Sequence, residues 1–154
     1  MATGLFIDYS IRPSVVPVVE TGQQVSLMRA GIIEHPTRSD IVEIPISKIE
    51  RRSMVQPCEI EISGYEYLER LEGNHETLLD VRVMEEFLKN PSMIPVAYRR
   101  GVTCFFGTRF VDKYGDNFVA GFVWNGRWFV HYHYCLRLPF THQRFAVSIP
   151  ASFS

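Results

Sequence analysis

The dipeptide Asn125-Gly126 separates two apolar, aromatic-rich runs, Asn117 to Trp124 and Arg127 to Leu136. A two-residue type I′ turn needs positive φ at both central positions, and Asn-Gly supplies it at least cost, so the pattern predicts a tight β-hairpin. A two-residue turn also sets the register. Trp124 is then expected opposite Arg127, Val123 opposite Trp128, Phe122 opposite Phe129, and Phe118 opposite His133. Opposed residues share a face of the sheet. One face is thus expected to carry Val119, Val123, Trp128, Val130, Tyr132 and Tyr134, an ordinary core set. The other is expected to carry Phe118, Phe122, Trp124, Arg127, Phe129, His131, His133 and Cys135, a mixture of large aromatics, a cation, two imidazoles and a thiol.

Thr103 to Phe110 reads as the preceding strand, reached through a Gly115-containing turn at Asp112 to Asp116, and Phe145 to Ile149 as a fourth. Upstream, Ser63 and Glu66 form an S-x-x-E capping box that opens a helix ending at Gly73. Asp80 caps a second helix with Val83, Met84, Phe87 and Leu88 on one side, stopped by Asn90-Pro91. Residues 1–56 read as short strands at Leu5-Phe6-Ile7, Ser14–Val19, Gln24–Met28 and Ile41–Ile46, broken by Pro17 and Pro45. The expected fold class is α+β: a small twisted antiparallel β-meander with two short helices on one face. Residues 1–56 form a β-rich N-terminal segment that packs on the sheet or extends as an arm. Residues 57–154 form the core of what is one domain overall.

With 154 residues, the chain can bury roughly 70% of its unfolded surface without a metal or disulfide. Three widely spaced cysteines, Cys58, Cys104 and Cys135, argue against a disulfide framework and for free thiols. The formal net charge of -1 removes the broad positive field of a general nucleic-acid binder. Neither a membrane-length apolar run nor a leader pattern is present, which predicts a cytoplasmic location.

Three chemistries suit the mixed face. Trp, Phe and Arg are the residue types that anchor protein interfaces, so Phe118, Phe122, Trp124, Arg127 and Phe129 are the expected partner-binding residues of a non-enzymatic interaction or structural subunit, docking a protein partner or a second copy. The alternative is a zinc site on His131-x-His133-x-Cys135, three donors on one side of a strand, with His142 or Cys104 as a further ligand. A further alternative is stacking of single-stranded nucleic acid on Phe118, Phe122, Phe129 and Arg127, with Arg51, Arg52, Arg99 and Arg100 on the phosphates. No nucleophile elbow, phosphate loop or dinucleotide fingerprint is present, and no catalytic residue is assigned.

The ordered motifs I-S-G-Y-E-Y-L-E-R-L (62–71), L-D-V-R-V-M-E-E-F-L (79–88), M-I-P (93–95), F-F-G-T (105–108) and W-N-G-R-W (124–128) resemble those of a family of short uncharacterised bacterial proteins, many from uncultured lineages. Its pattern is a capped I-[ST]-G-x-E helix, an L-D-x-x-V helix, F-F-x-G-T and W-x-G-x-W. Residues 95–98, Pro-Val-Ala-Tyr, depart from the family's Pro-Glu-Ser-Trp. The resemblance implies a compact domain over the second half of the chain and no particular activity.

Overall fold

The computed structural model describes residues 4–9, 31–34, 41–74, 76–111 and 114–150. The strands expected at Ser14–Val19 and Gln24–Met28 lie outside these. The class is α+β. Eleven strands are described: β1 Gly4–Asp8, β2 Gly31–Glu34, β3 Ile41–Pro45, β4 Glu50–Arg52, β5 Glu61–Ser63, β6 Thr77–Leu78, β7 Val102–Val111, β8 Asn117–Trp124, β9 Trp128–Cys135, β10 Pro139–Thr141 and β11 Arg144–Ile149. Helix α1 spans Gly64–Glu72 and α2 spans Val81–Lys89.

Both helices begin where their caps dictate. The Ser63 hydroxyl accepts from the Glu66 amide at 3.1 Å, and the Asp80 carboxylate accepts from the Arg82 and Val83 amides. These bonds satisfy first-turn donors that have no partner inside a helix.

The main sheet runs β4-β11-β7-β8-β9, with β2 added beside β7 and β6 beside β11. It is mixed rather than wholly antiparallel: β7, β8 and β9 pair antiparallel in turn, but β11 returns to lie parallel to β7, with Phe145 opposite Thr103. The fourth strand therefore joins the opposite side of β7 from β8.

The helices sit on opposite faces, where a single face was expected. The reason lies in β7. Its consecutive residues Phe105 and Phe106 point to opposite sides, and each is buried to 1% exposure or less. A strand with large apolar side chains on both faces needs cover on both. On the front face, α2 contributes Val83, Met84 and Phe87 to a core with Phe105, Phe110, Phe122, Val147 and Ile149. On the back face, α1 contributes Tyr67, Leu68 and Leu71 to a second core with Cys104, Phe106, Val119, Leu136 and Phe140. Tyr67 stacks on Phe106 with centroids 5.3 Å apart, and its hydroxyl donates to the Arg144 carbonyl at 2.7 Å.

The described N-terminal strands pack on this core and do not extend from it. β1 pairs antiparallel with β3, and Leu5, Ile7 and Ile44 are buried in the front core beside α2. β4 forms one border of the main sheet, so the strands of residues 1–56 complete the structure built by 57–154.

Candidate functional site

The β8–β9 hairpin differs from the expected one in a single residue, with large consequences. Trp124 stands opposite Trp128, leaving Asn125, Gly126 and Arg127 as a three-residue loop. Gly126 takes φ +76°, and the Asn125 amide donates to the Arg127 carbonyl at 2.9 Å. A one-residue slip moves every side chain of the partner strand to the other face. A bulge between His131 and Tyr134, opposite Val119 to Gly121, adds a second slip and restores the expected grouping beyond it, where Phe118 faces Cys135.

The expected mixed face is thereby divided. Phe122, Trp124 and Phe118 share the front face, where Phe122 is fully buried at 0% exposure against Phe87, Phe105 and Trp128. Phe118 packs half-buried on the same core. Phe129 stands opposite Val123 and His131 opposite Gly121, on the back face. Trp128 and Val130, expected on the other side from Phe122, join it on the front. Of the five residues expected to dock a partner, Trp124, Arg127 and Phe129 remain accessible around the hairpin, while Phe122 belongs to the core.

The three expected zinc ligands do not converge. His131 is exposed on the back face, Cys135 is buried opposite Phe118, and His133 sits in the bulge with its ring 6.5 Å from that of His131. Among the described residues no group of three or more His, Cys, Asp or Glu side chains is placed to hold a metal. Burial, then the neighbouring His131, pushes the His133 imidazole below its usual range. Cys104 is wholly buried, and desolvation lifts its thiol to about 12, so it holds no thiolate near neutral pH.

The paired arginines are also largely committed. Arg51 lies inward: its Nε donates to Thr103 Oγ1 at 2.9 Å, its guanidinium covers the Phe145 ring at 4.1 Å, and it donates to the Arg100 carbonyl. Arg52 meets Glu76 at 2.6 Å and Glu50 at 3.5 Å. Arg52, Arg99 and Arg100 are exposed, but the charge of Arg52 is met by its two glutamates.

A different surface emerges at the hairpin end of the sheet. Helix α1 covers the centre of the back face and leaves this end open. Across it, Arg144, Val102, Val123 and Phe129 form one row of half-exposed side chains on four neighbouring strands. The next row contains Gly121, and the Tyr134 ring lies over it, with the His131 ring 5.6 Å away. The Arg144 guanidinium sits 4.5 Å from the centre of the Tyr134 ring and 4.6 Å from that of Phe140. Arg127 covers Phe129 at 4.6 Å, and on the front face Arg99 covers Trp124 at 4.2 Å. Three half-exposed rings thus each lie beneath a guanidinium. Val123, Tyr134 and Arg144 were missed from the sequence because the expected register assigned the first two to the core and left the strand containing the third unplaced.

An open cleft of about 600 Å³ lies between residues 53–57 and the end of α1. Its cation, Arg70, is held by Glu59 through two bonds of 2.6 and 2.8 Å and by Glu66 at 3.2 Å, so the cleft presents little uncommitted charge. No described helix is long and apolar enough to cross a membrane. A scan against models of protein families finds no match, and searches of curated proteins and of solved structures find no similar chain.

Proposed function

We propose that the chain is a non-enzymatic interaction or structural subunit that docks a protein partner through the aromatic surface around the β8–β9 hairpin. The supporting observation is the set of three half-exposed rings, Trp124, Phe129 and Tyr134, each beneath an arginine. Aromatic side chains and arginine are the types that carry most interface energy. The three rings stand on paired strands, so little ordering cost remains for them on binding.

Charge indicates what the partner presents. Between Pro91 and Pro150 the acidic residues in the sequence are Asp112 and Asp116, and Asp116 lies before β8 at the end of that strand away from the hairpin, where it pairs with Arg137. The hairpin end carries Arg99, Arg100, Arg127 and Arg144. This local field favours a partner surface with carboxylates beside apolar side chains, despite the near-neutral total.

The test compares affinity capture by the wild type with capture by Phe129→Ala and Arg127→Ala, each checked for an unchanged melting midpoint. Loss of the same partners from both variants supports the reading, whereas partners retained in full by both would sink it. Titration with a labelled oligothymidine runs alongside. Tight binding that weakens steeply with salt would replace the protein partner with single-stranded nucleic acid.

A further inference from the structure

The open end of the back face is a strip one row of side chains deep. Its row, Arg144, Val102, Val123 and Phe129, crosses four neighbouring strands, about 14 Å between the outer backbones at ordinary strand spacing. The next row inward is closed. Cys104 and Ala146 are buried there at 0% and 3% exposure in the core beneath α1, and the Tyr134 ring covers Gly121. The loop between β8 and β9 bounds the other side. Each end of the strip carries a guanidinium, that of Arg144 against Tyr134 and that of Arg127 over Phe129. Among the described residues the ion pairs engage Arg52, Arg70, Arg82, Lys89 and Arg137, and neither Arg127 nor Arg144 is one of them.

From this we infer that the strip takes an extended acidic segment of a partner protein, laid across the strands with an apolar side chain on Val102 and Val123 and a carboxylate toward each of Arg144 and Arg127. The inference deepens the docking reading by naming the chemistry and conformation of what is docked, and rests on it to that extent.

Depth selects the conformation. Rows on one face of a sheet stand about 7 Å apart, whereas a helix with its side chains is about 10–12 Å across and would strike the Tyr134 ring. An extended chain rises about 3.3 Å per residue, so about five residues cover the row, and alternate side chains face the sheet together. Chemistry selects the order acid–x–apolar–x–acid. Val102 and Val123 offer an aliphatic floor that suits an apolar side chain and gives a nucleobase no ring to stack on. The aromatic contacts occupy the faces of the two guanidiniums and leave their in-plane N–H groups, the donors that carboxylates bind in pairs. Arg144 is half-buried, which strengthens such a pair over one in open solvent.

Selection of random heptapeptides on the immobilised wild-type protein tests the inference. The enriched peptides are expected to carry Asp or Glu on both sides of an apolar residue. A synthetic, fluorescein-labelled copy of the most enriched peptide, followed by anisotropy, should bind about tenfold or more weakly to Arg144→Gln and to Arg127→Gln, each checked for an unchanged melting midpoint. Position 127 is exposed in the loop, so that variant remains informative even where Arg144→Gln is destabilised. Transferred nuclear Overhauser effects on the bound peptide should show the strong sequential Hα–HN contacts of an extended chain. An empty selection, enrichment without acidic residues, a helical bound form, or affinity unchanged in either folded variant overturns the inference. Oligothymidine bound more tightly than any selected peptide replaces both this inference and the docking of a protein. The other results leave the docking reading standing, since it fails when the Phe129 and Arg127 variants keep their captured partners.

Discussion

Tyr134 lies across Gly121 so closely that a methyl group at position 121 would stand 3.0 Å from its Cε2 and 2.5 Å from the carbonyl oxygen of Thr103. The ring could swing away, but the carbonyl belongs to the paired strand β7 and cannot. Gly121→Ala should therefore destabilise the fold by about 1–3 kcal/mol, the cost of overpacking a tight site. Chemical denaturation checks this, and a stability change within about 0.5 kcal/mol, the range of neutral surface substitutions, would contradict it. The same variant should displace Tyr134 from Arg144, seen as altered tyrosine fluorescence.

Arg51 offers a second stability test. Its guanidinium satisfies the buried hydroxyl of Thr103 and the Arg100 carbonyl while lying between the rings of Phe145 and Tyr98. Burial pulls its pKa below the usual arginine value, so the charge is held by its partners against a desolvation cost. Arg51→Ala leaves those groups unpaired and should cost about 2–3 kcal/mol. Arg51→Lys should recover only part of the loss, because an ammonium cannot both fork and stack. Equal stability of the lysine variant and the wild type would show that the planar fork is not needed.

Acid should loosen the 53–59 loop before it unfolds the sheet. The Arg70 guanidinium, bonded in two places, holds the Glu59 carboxyl down at about 2. A carboxylate whose folded pKa is depressed stabilises the fold fully above the unfolded value near 4.5, and that contribution is lost as pH falls through 4.5 toward about 2. Amide exchange of residues 54–59, compared between wild type and Glu59→Gln from pH 6 to pH 3, reads the effect. Protection in the wild type should exceed that in the variant at the upper end and approach it at the lower end. Curves that stay parallel would count against the pair.

The three thiols should separate cleanly. Cys58 is exposed, while Cys104 and Cys135 are buried. Alkylation of the native protein at pH 8 should add one adduct, at Cys58, with the other two reacting only after denaturation. Peptide mass mapping distinguishes this from early reaction at Cys135, which would mean that the end of β9 opens readily.

Much of the fold was legible because its signals are local. Ser63 and Asp80 announce their helices through bonds spanning two or three residues, and the hairpin is announced by Asn125-Gly126. What was not legible depended on more distant choices. Whether the loop takes two residues or three turns on whether Arg127 or Trp128 stands opposite Trp124, and Trp128 does so at 5.1 Å between ring centroids. That one-residue difference puts Trp128 and Val130 on the front face beside Phe122 and turns Phe129 and His131 to the back, while the bulge before Tyr134 keeps that ring on the back face with Val119. The side of β7 taken by β11, and the placement of α1 and α2 on opposite faces, follow from burying Phe105 and Phe106 together. No short window of sequence contains that constraint.

The hairpin surface yields the last prediction. Because Arg127 lies over Phe129 on the back face and Arg99 over Trp124 on the front, the two contacts use different residues on opposite sides of the sheet. Sites without shared partners contribute additively. If a partner clasps the hairpin from both sides, Phe129→Ala and Trp124→Ala should each weaken binding by about 2 kcal/mol or more, and the double variant by roughly the sum. If the partner covers the back face alone, Trp124→Ala should change affinity little while Phe129→Ala retains its effect. Isothermal titration of both single variants and the double variant against the captured partner separates the two geometries. Binding lost in Trp124→Ala but preserved in Phe129→Ala would move the site to the front face, beside Arg99 and away from Tyr134 and Arg144.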